Sequence, residues 1–483
     1  MDFDIAIVGA GLSAGPVIDE LAKAETSLKI IIIERGPMAW QDVPWHSKSA
    51  RTKVKRWWTS PDPGGASRLW YGQVSRFCSD DFYDPMKWPV PESIWAVAYN
   101  EVEEILKPYC ADHLLKNTTP TNSPRRTFRN RLATFERFIF DQLQRQRIQA
   151  FSGLTCLGGH GWAESPVDPL TLADLSLPAS HCHARNWVDR IERVCQNCPH
   201  ITRVNGVWIK GIRPFYNSYR LHGYSSNTVP WEVSARRIVL AAGVLETVPI
   251  LSSLPDIGDL LGKQFTLSTE LTAYVSTTTS RVLDDDIKIG RFANISARYP
   301  FNEATASRGK VSFYDAKSFD TTARLSAKLS RIGLAADLVN QRDQLVLKIS
   351  FKGRSETSTE KRIEPTVDGR VRIHYTPTFG DVDLITSVRQ AVVDIVDRLP
   401  GAKLLAISDN VTGSDHTSAH FHGGAIFGIA PSDSVLDPDC RVWSHPCISV
   451  VDGSFMPGSG STNSSLTVMA NAWRVAQSLL RSH

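Results

Sequence analysis

The residues best suited to chemistry open the chain. Gly9-Ala10-Gly11-Leu12-Ser13-Ala14 follows the almost continuously apolar run Phe3–Val8. Each small residue there has a physical task. Gly9 permits a tight strand-to-helix turn. Gly11 lets backbone approach a pyrophosphate, and Ala14 lets a helix lie close to the sheet. That helix would direct its free N–H groups and partial positive charge at phosphates. A second apolar run, 28–33, ends at Glu34, 20 residues beyond Ala14. A carboxylate there can accept hydrogen bonds from a ribose 2′-hydroxyl. Strand, glycine turn, helix, strand and acid in this order define a dinucleotide-binding unit, which serves NAD and FAD alike. Cys195 and Cys198 form a CxxC with His200 close behind. A structural zinc needs four ligands and no second pair follows, so no metal site is expected.

The elements that must carry these residues are also legible. The run 237–246 reads as a third apolar strand ending in Ala241-Ala242-Gly243, followed by a helix that includes Thr247 and Leu251. Runs 345–351 and 370–375 read as strands, and Asp368-Gly369 as the turn that joins Arg362–Pro365 to the second of them. The periodicity of Val382, Ile385, Val388, Val392 and Ile395 predicts a helix over 381–399, stopped by Pro400-Gly401. No internal repeat or low-complexity tract appears. The chain has 483 residues, 42% hydrophobic and 22% charged, with a net charge of +4. That composition excludes disordered and fibrous classes and gives no case for nucleic-acid or membrane-surface binding. The basic run 51–56 reads as a solvated face. No apolar stretch approaches the ~18 residues of a membrane span. The acidic start gives no secretory leader, so a cytoplasmic location is expected.

Three segments read together carry a family resemblance. They are 64–72 (GGASRLWYG), the 238–243 strand with Glu246 and Thr247, and a carboxy-terminal block. That block runs from His420-Phe421-His422-Gly423-Gly424 through Gly428 to Val450-Val451-Asp452-Gly453-Ser454-Phe455-Met456-Pro457. It closes with Asn463-Ser464-Ser465-Leu466-Thr467-Val468-Met469-Ala470-Asn471-Ala472. This pattern resembles the glucose–methanol–choline (GMC) oxidoreductases, and within them the branch of pyranose oxidases and gluconate- or fructose-type dehydrogenases. The resemblance is strong at both ends and weak over 260–400.

The resemblance implies an α/β fold: a Rossmann-like FAD-binding domain of the p-hydroxybenzoate hydroxylase type. An α+β substrate-binding domain built on an antiparallel sheet would be inserted into it. The expected division is 1–60, 150–260 and 406–483 for the discontinuous FAD-binding domain. Residues 61–149 would form a lid and interface segment, and 261–405 the substrate domain. FAD contacts are implied at Gly9, Gly11, Ala14, Glu34, Arg35, Ser67, Trp70, Ala242, Gly243, Asp452, Gly453 and Ser464. His420 falls on the family histidine that sits over the flavin and Asn463 on its partner in the terminal motif. His422 is a close rival for the first role. Ser464 and Ser465 are cap candidates for the helix that follows Asn463. Some relatives hold FAD through a histidine before the tryptophan of the first segment. Leu69 stands there, so non-covalent FAD is expected.

Alcohol oxidation needs a base on the hydroxyl and a hydride acceptor, and histidine has a suitable pKa. His420 would take the proton and Asn463 would hold the same oxygen. The partners implied are a small alcohol or sugar and an electron acceptor, which could be O₂, a quinone or a redox protein. Two other readings stay open: a flavin-retaining lyase of the same family, and a nicotinamide-dependent dehydrogenase.

Overall fold

The computed structural model describes residues 2–24, 27–36, 40–47, 50–58, 73–74, 76–77, 79–82, 88–106, 109–110, 150–152, 154–155, 191, 193–225, 228–277, 295–302, 307–315, 345–355, 357–367, 371–398, 401–412 and 420–481. The expected contacts Ser67 and Trp70, the Leu69 position and the turn residues Asp368 and Gly369 lie outside them.

A parallel sheet forms the first layer. Its central strand, Phe3–Val8, pairs on one side with Ile30–Glu34 and on the other with Pro230–Leu240. Ile201–Asn205 extends it beyond Ile30–Glu34, and His445–Val450 lies beside the end of Pro230–Leu240. The strand cores are apolar because both faces are covered. Ile5, Ile7, Ile30, Ile31, Ile32 and Ile33 are all buried. Each such side chain stabilises the fold by about 1.5–3 kcal/mol. The helix Ala14–Lys23 packs against the last helix, Ser465–Arg481, where Gln477 Nε2 donates to Glu20 Oε2 at 2.6 Å. The first half of Pro230–Leu240 pairs with Ser218–Ser225, which pairs with Val207–Phe215, so an antiparallel extension grows from one edge.

A six-stranded sheet forms a second body. Its order is Lys403–Asp409, Thr269–Thr277, Leu345–Gly353, Ser307–Asp315, Ile295–Asn302 and Ala150–Ser152, antiparallel throughout. Its strand Lys403–Asp409 runs across the expected boundary at 405–406. Ala150–Ser152, expected with the FAD-binding segments, joins this sheet instead. A hairpin of Arg362–Pro365 and Val371–His374 forms as expected, and the helix Phe379–Arg398 covers the predicted 381–399. Trp40–Ser47 pairs with Val371–His374, so part of 1–60 also leaves the parallel sheet.

A fully buried ion pair ties this second body to the carboxy-terminal loop. Lys361 Nζ meets Asp381 Oδ2 at 2.5 Å and donates to Ser355 Oγ at 3.0 Å. Asp381 also accepts from Thr378 N at 2.8 Å, while Thr378 Oγ1 accepts from Asp381 N at 3.1 Å. This reciprocal cap starts the helix Phe379–Arg398. Ser355 N then donates to Ser459 Oγ at 2.8 Å, four residues before Asn463. Among the described residues, no helix is long and apolar enough to cross a membrane.

Candidate active site

The amino-terminal turn adopts the geometry its glycines allow. Gly9 has φ +94°, and a Cβ there would lie 2.5 Å from Ala241 O. Only glycine tolerates both the conformation and the contact. A Cβ on Gly11 would stop 3.8 Å from Ala241 O, and one on Gly243 would meet nothing within 4 Å. Gly11 thus has no close steric neighbour and Gly243 presents backbone to open space, at the ends of neighbouring parallel strands and in front of the helix that starts at Ala14. These features fit the phosphates and ribose of a dinucleotide.

Glu34 closes this cradle from the next strand. Its Oε2 accepts from Ala10 N at 2.8 Å and its Oε1 from Gly36 N at 3.2 Å. Burial raises its pKa, and the backbone donors oppose that. Arg35 turns toward Glu246, with which it forms an ion pair, and lies 3.9 Å over the Trp208 ring. Asp452 is buried and joins both halves of the cradle. It accepts from Gly243 N at 2.8 Å, Thr247 Oγ1 at 2.5 Å, Ser454 N at 2.9 Å and Ser454 Oγ at 2.5 Å. Ala242 and Gly453 flank these bonds in sequence.

The two histidines occupy different environments. His420 is about one-quarter exposed, and its Nδ1 stands 2.9 Å from Glu270 Oε1. The carboxylate accepts the Nδ1 proton, which makes Nε2 the acceptor nitrogen. Lys352 Nζ stands 2.8 Å from Nε2 and 3.1 Å from Nδ1. Burial and then the Lys352 charge hold the His420 pKa below 6.5, while Glu270 opposes them. His422 is buried, and its Nε2 shares a 2.7 Å hydrogen bond with Ser464 Oγ. Its Nδ1 is buried with no hydrogen-bond partner among the described residues. Burial first, then the charges at His420 and Lys352, lower its pKa to about 3, so this ring stays neutral.

The His422–Ser464 bond joins the histidine segment to the terminal motif, two residues from His420 and one from Asn463. The helix Ser465–Arg481 begins where expected. Ser464, expected as a cap or cofactor contact, spends its hydroxyl on His422; its carbonyl accepts from Val468 N at 2.9 Å. Asn463 is half-buried, and its carboxamide makes no hydrogen bond among the described residues. The loop ahead of it is clamped: buried Asp81 accepts from Ser461 N at 2.6 Å and Ser461 Oγ at 2.9 Å. Gly423 has φ +78°, and a Cβ there would fall 2.1 Å from Gln264 O, which explains a glycine directly after His422.

Sequence reasoning missed Glu270, Lys352 and Asp81. Glu270 is the one charged residue in the strand Thr269–Thr277, whereas Lys352 shares Leu345–Gly353 with Lys348 and has no local mark of its own. The CxxC sits at a helix end with both thiols part-buried. Among the described residues, no group of three or more His, Cys, Asp or Glu side chains could hold a metal.

Comparison with known proteins finds the following similarities. Residues 354–472 match the family model described as GMC oxidoreductase. The match starts inside the stretch where the sequence resemblance was weak. A paromamine 6'-oxidase from Streptomyces fradiae is 34% identical over 130 residues, 24% of this chain and 23% of that protein. The fructose dehydrogenase large subunit of Gluconobacter japonicus is 33% identical over 92 residues, 19% of this chain and 16% of that one. The matched stretches thus span under a quarter of these curated relatives. A pyridoxine 4-oxidase from Mesorbium loti shares the fold over 100% of both chains, with TM-score 0.63 and 16% identity.

Proposed function

We propose that this chain is an FAD-dependent oxidoreductase that oxidises an alcohol group of a sugar-like or polyol substrate to a carbonyl. The observation that carries this reading is the His420 imidazole, oriented by Glu270 and linked through His422 and Ser464 to the segment of Asn463. Relatives named for oxidation of paromamine and dehydrogenation of fructose support the alcohol class.

FAD, held without a covalent bond, would supply the hydride acceptor. Gly9, Gly11, Ala14 and Glu34 would hold its dinucleotide part, with Ala242, Gly243, Asp452 and Gly453 along the neighbouring strand ends. Arg35 and Ser464 would add contacts while their side chains are also held by Glu246 and His422 respectively. His420 Nε2 takes the hydroxyl proton as the carbinol hydride leaves. Glu270 fixes the tautomer and balances the imidazolium that forms. The Asn463 carboxamide holds the reacting oxygen, and such positioning is a large share of the barrier. Residues 261–405 would receive the substrate, and 61–149 would cover the site, with Asp81 as one anchor. The electrons then pass to O₂, a quinone or a redox protein.

Purified protein is expected to be yellow, to release its flavin on denaturation, and to bleach anaerobically with a sugar, cyclitol or polyol. Yellow protein that no such alcohol bleaches would favour the lyase, and colourless protein the nicotinamide enzyme.

A further inference from the structure

We infer that Lys352 is a catalytic residue whose ammonium donates a charged hydrogen bond to the same substrate oxygen that His420 deprotonates. The inference rests on the alcohol-oxidising reading of this site and deepens it.

Glu270 and Lys352 are direct partners on neighbouring antiparallel strands, so both side chains leave the same face of the sheet. Lys352 Nζ is 3.5 Å from Glu270 Oε1, and the His420 ring packs against both groups. A cross-strand ion pair used only as scaffold would have no need of an imidazole beside the cation. Setting an ammonium against a base has a cost, because it opposes proton uptake at His420. That arrangement is favourable where negative charge develops beside the base, which is where an alcohol oxygen stands as it loses its proton.

The geometry keeps Lys352 itself off the Nε2 axis. The two ring nitrogens of an imidazole point away from each other. A cation 2.8 Å from one and 3.1 Å from the other therefore lies along neither axis. Lys352 stands beside the ring and leaves the Nε2 lone pair directed past it. An oxygen accepted on that lone pair sits next to Nζ, and the flexible lysine stem closes the remaining gap. In the reaction the proton passes from the substrate oxygen to Nε2. The C–H hydride would leave with its electron pair to the flavin that the cradle would hold, the carbonyl would form, and Lys352 keeps all its protons.

The test is anaerobic stopped-flow reduction of the holoenzyme by a panel of sugars, cyclitols and polyols. With any alcohol that bleaches the parent, Lys352→Met is expected to lower the limiting rate about 100-fold, the usual effect of removing one oxyanion donor. The half-saturating concentration should change less than about threefold and Lys352→Arg should recover most of the loss. A second readout needs no turnover: histidine NMR of the resting holoenzyme. Among the described residues, titratable groups facing His420 include Glu270, Lys352 and His422, and Lys352→Met should raise the His420 midpoint. A variant that reduces its flavin within threefold of the parent, or an unmoved midpoint, overturns the role of Lys352 alone. A parent that no alcohol bleaches overturns the alcohol reading and this role with it.

Discussion

The proposed nucleotide cradle and the imidazole cluster are built from opposite materials. The cradle is backbone: a glycine at φ +94°, strand ends in parallel register, the Glu34 carboxylate anchored by backbone N–H groups, and Asp452 by N–H and hydroxyl donors. The cluster is side chain: Glu270, Lys352 and His420, each part-exposed, gathered from positions up to 150 residues apart. Satisfied polar groups make a rigid receptor. Part-exposed titratable groups in contact make a site that can move a proton. A cofactor must be held in one place, whereas a substrate must enter, react and leave.

The sharpest break in this comparison is His420→Ala. Loss of the base should slow flavin reduction about 1,000-fold while flavin binding stays intact, as anaerobic stopped-flow and flavin content would show. Reduction at the parental rate would remove His420 from the chemistry. Next in size is the buried pair of Lys361 and Asp381. Lys361→Met leaves Asp381 uncompensated and should cost about 3–5 kcal/mol of unfolding free energy in denaturant titrations. Gly9→Ala should strike the cradle alone. The left-handed backbone and the contact with Ala241 O predict a loss of about 2 kcal/mol and weakened flavin retention, with the His420 titration unchanged.

Two smaller effects concern protons. Glu270→Gln removes the charge that raises the His420 pKa, so the acidic limb of the rate profile should move to lower pH. The limiting rate should fall about tenfold as the imidazole loses its orienter. His422 is held neutral in the fold, with a pKa of about 3 against 6.5 when unfolded. Its contribution to stability is complete above pH 6.5 and is lost as pH falls from there toward about 3, because only the unfolded chain takes up the proton. In His422→Gln the pH dependence of unfolding should report about one proton fewer across that interval. An unchanged slope would mean that this ring is protonated in the native protein.

Much of the cradle was readable in one dimension. A glycine turn, its flanking strands and an acid 20 positions on are set by local steric rules, so Gly9, Gly11 and Glu34 stand where their pattern predicts. His420 and Asn463 were reached through resemblance, and their segments do meet, but through His422 and Ser464. That link was hidden because a serine before a helix reads as a cap, and only packing sends its hydroxyl elsewhere. Domain limits were harder still. A strand such as Lys403–Asp409 has the same local pattern whichever sheet it joins, and pairing across more than 120 residues assigns it to Thr269–Thr277.

Linear order thus specified the dinucleotide turn, the buried strands and the start of the last helix, since each depends on neighbours a few bonds away. The company kept by His420 was set by folding. Glu270 and Lys352 acquire meaning through strand register, and register follows from the burial of whole sheet faces rather than from any short run of residues.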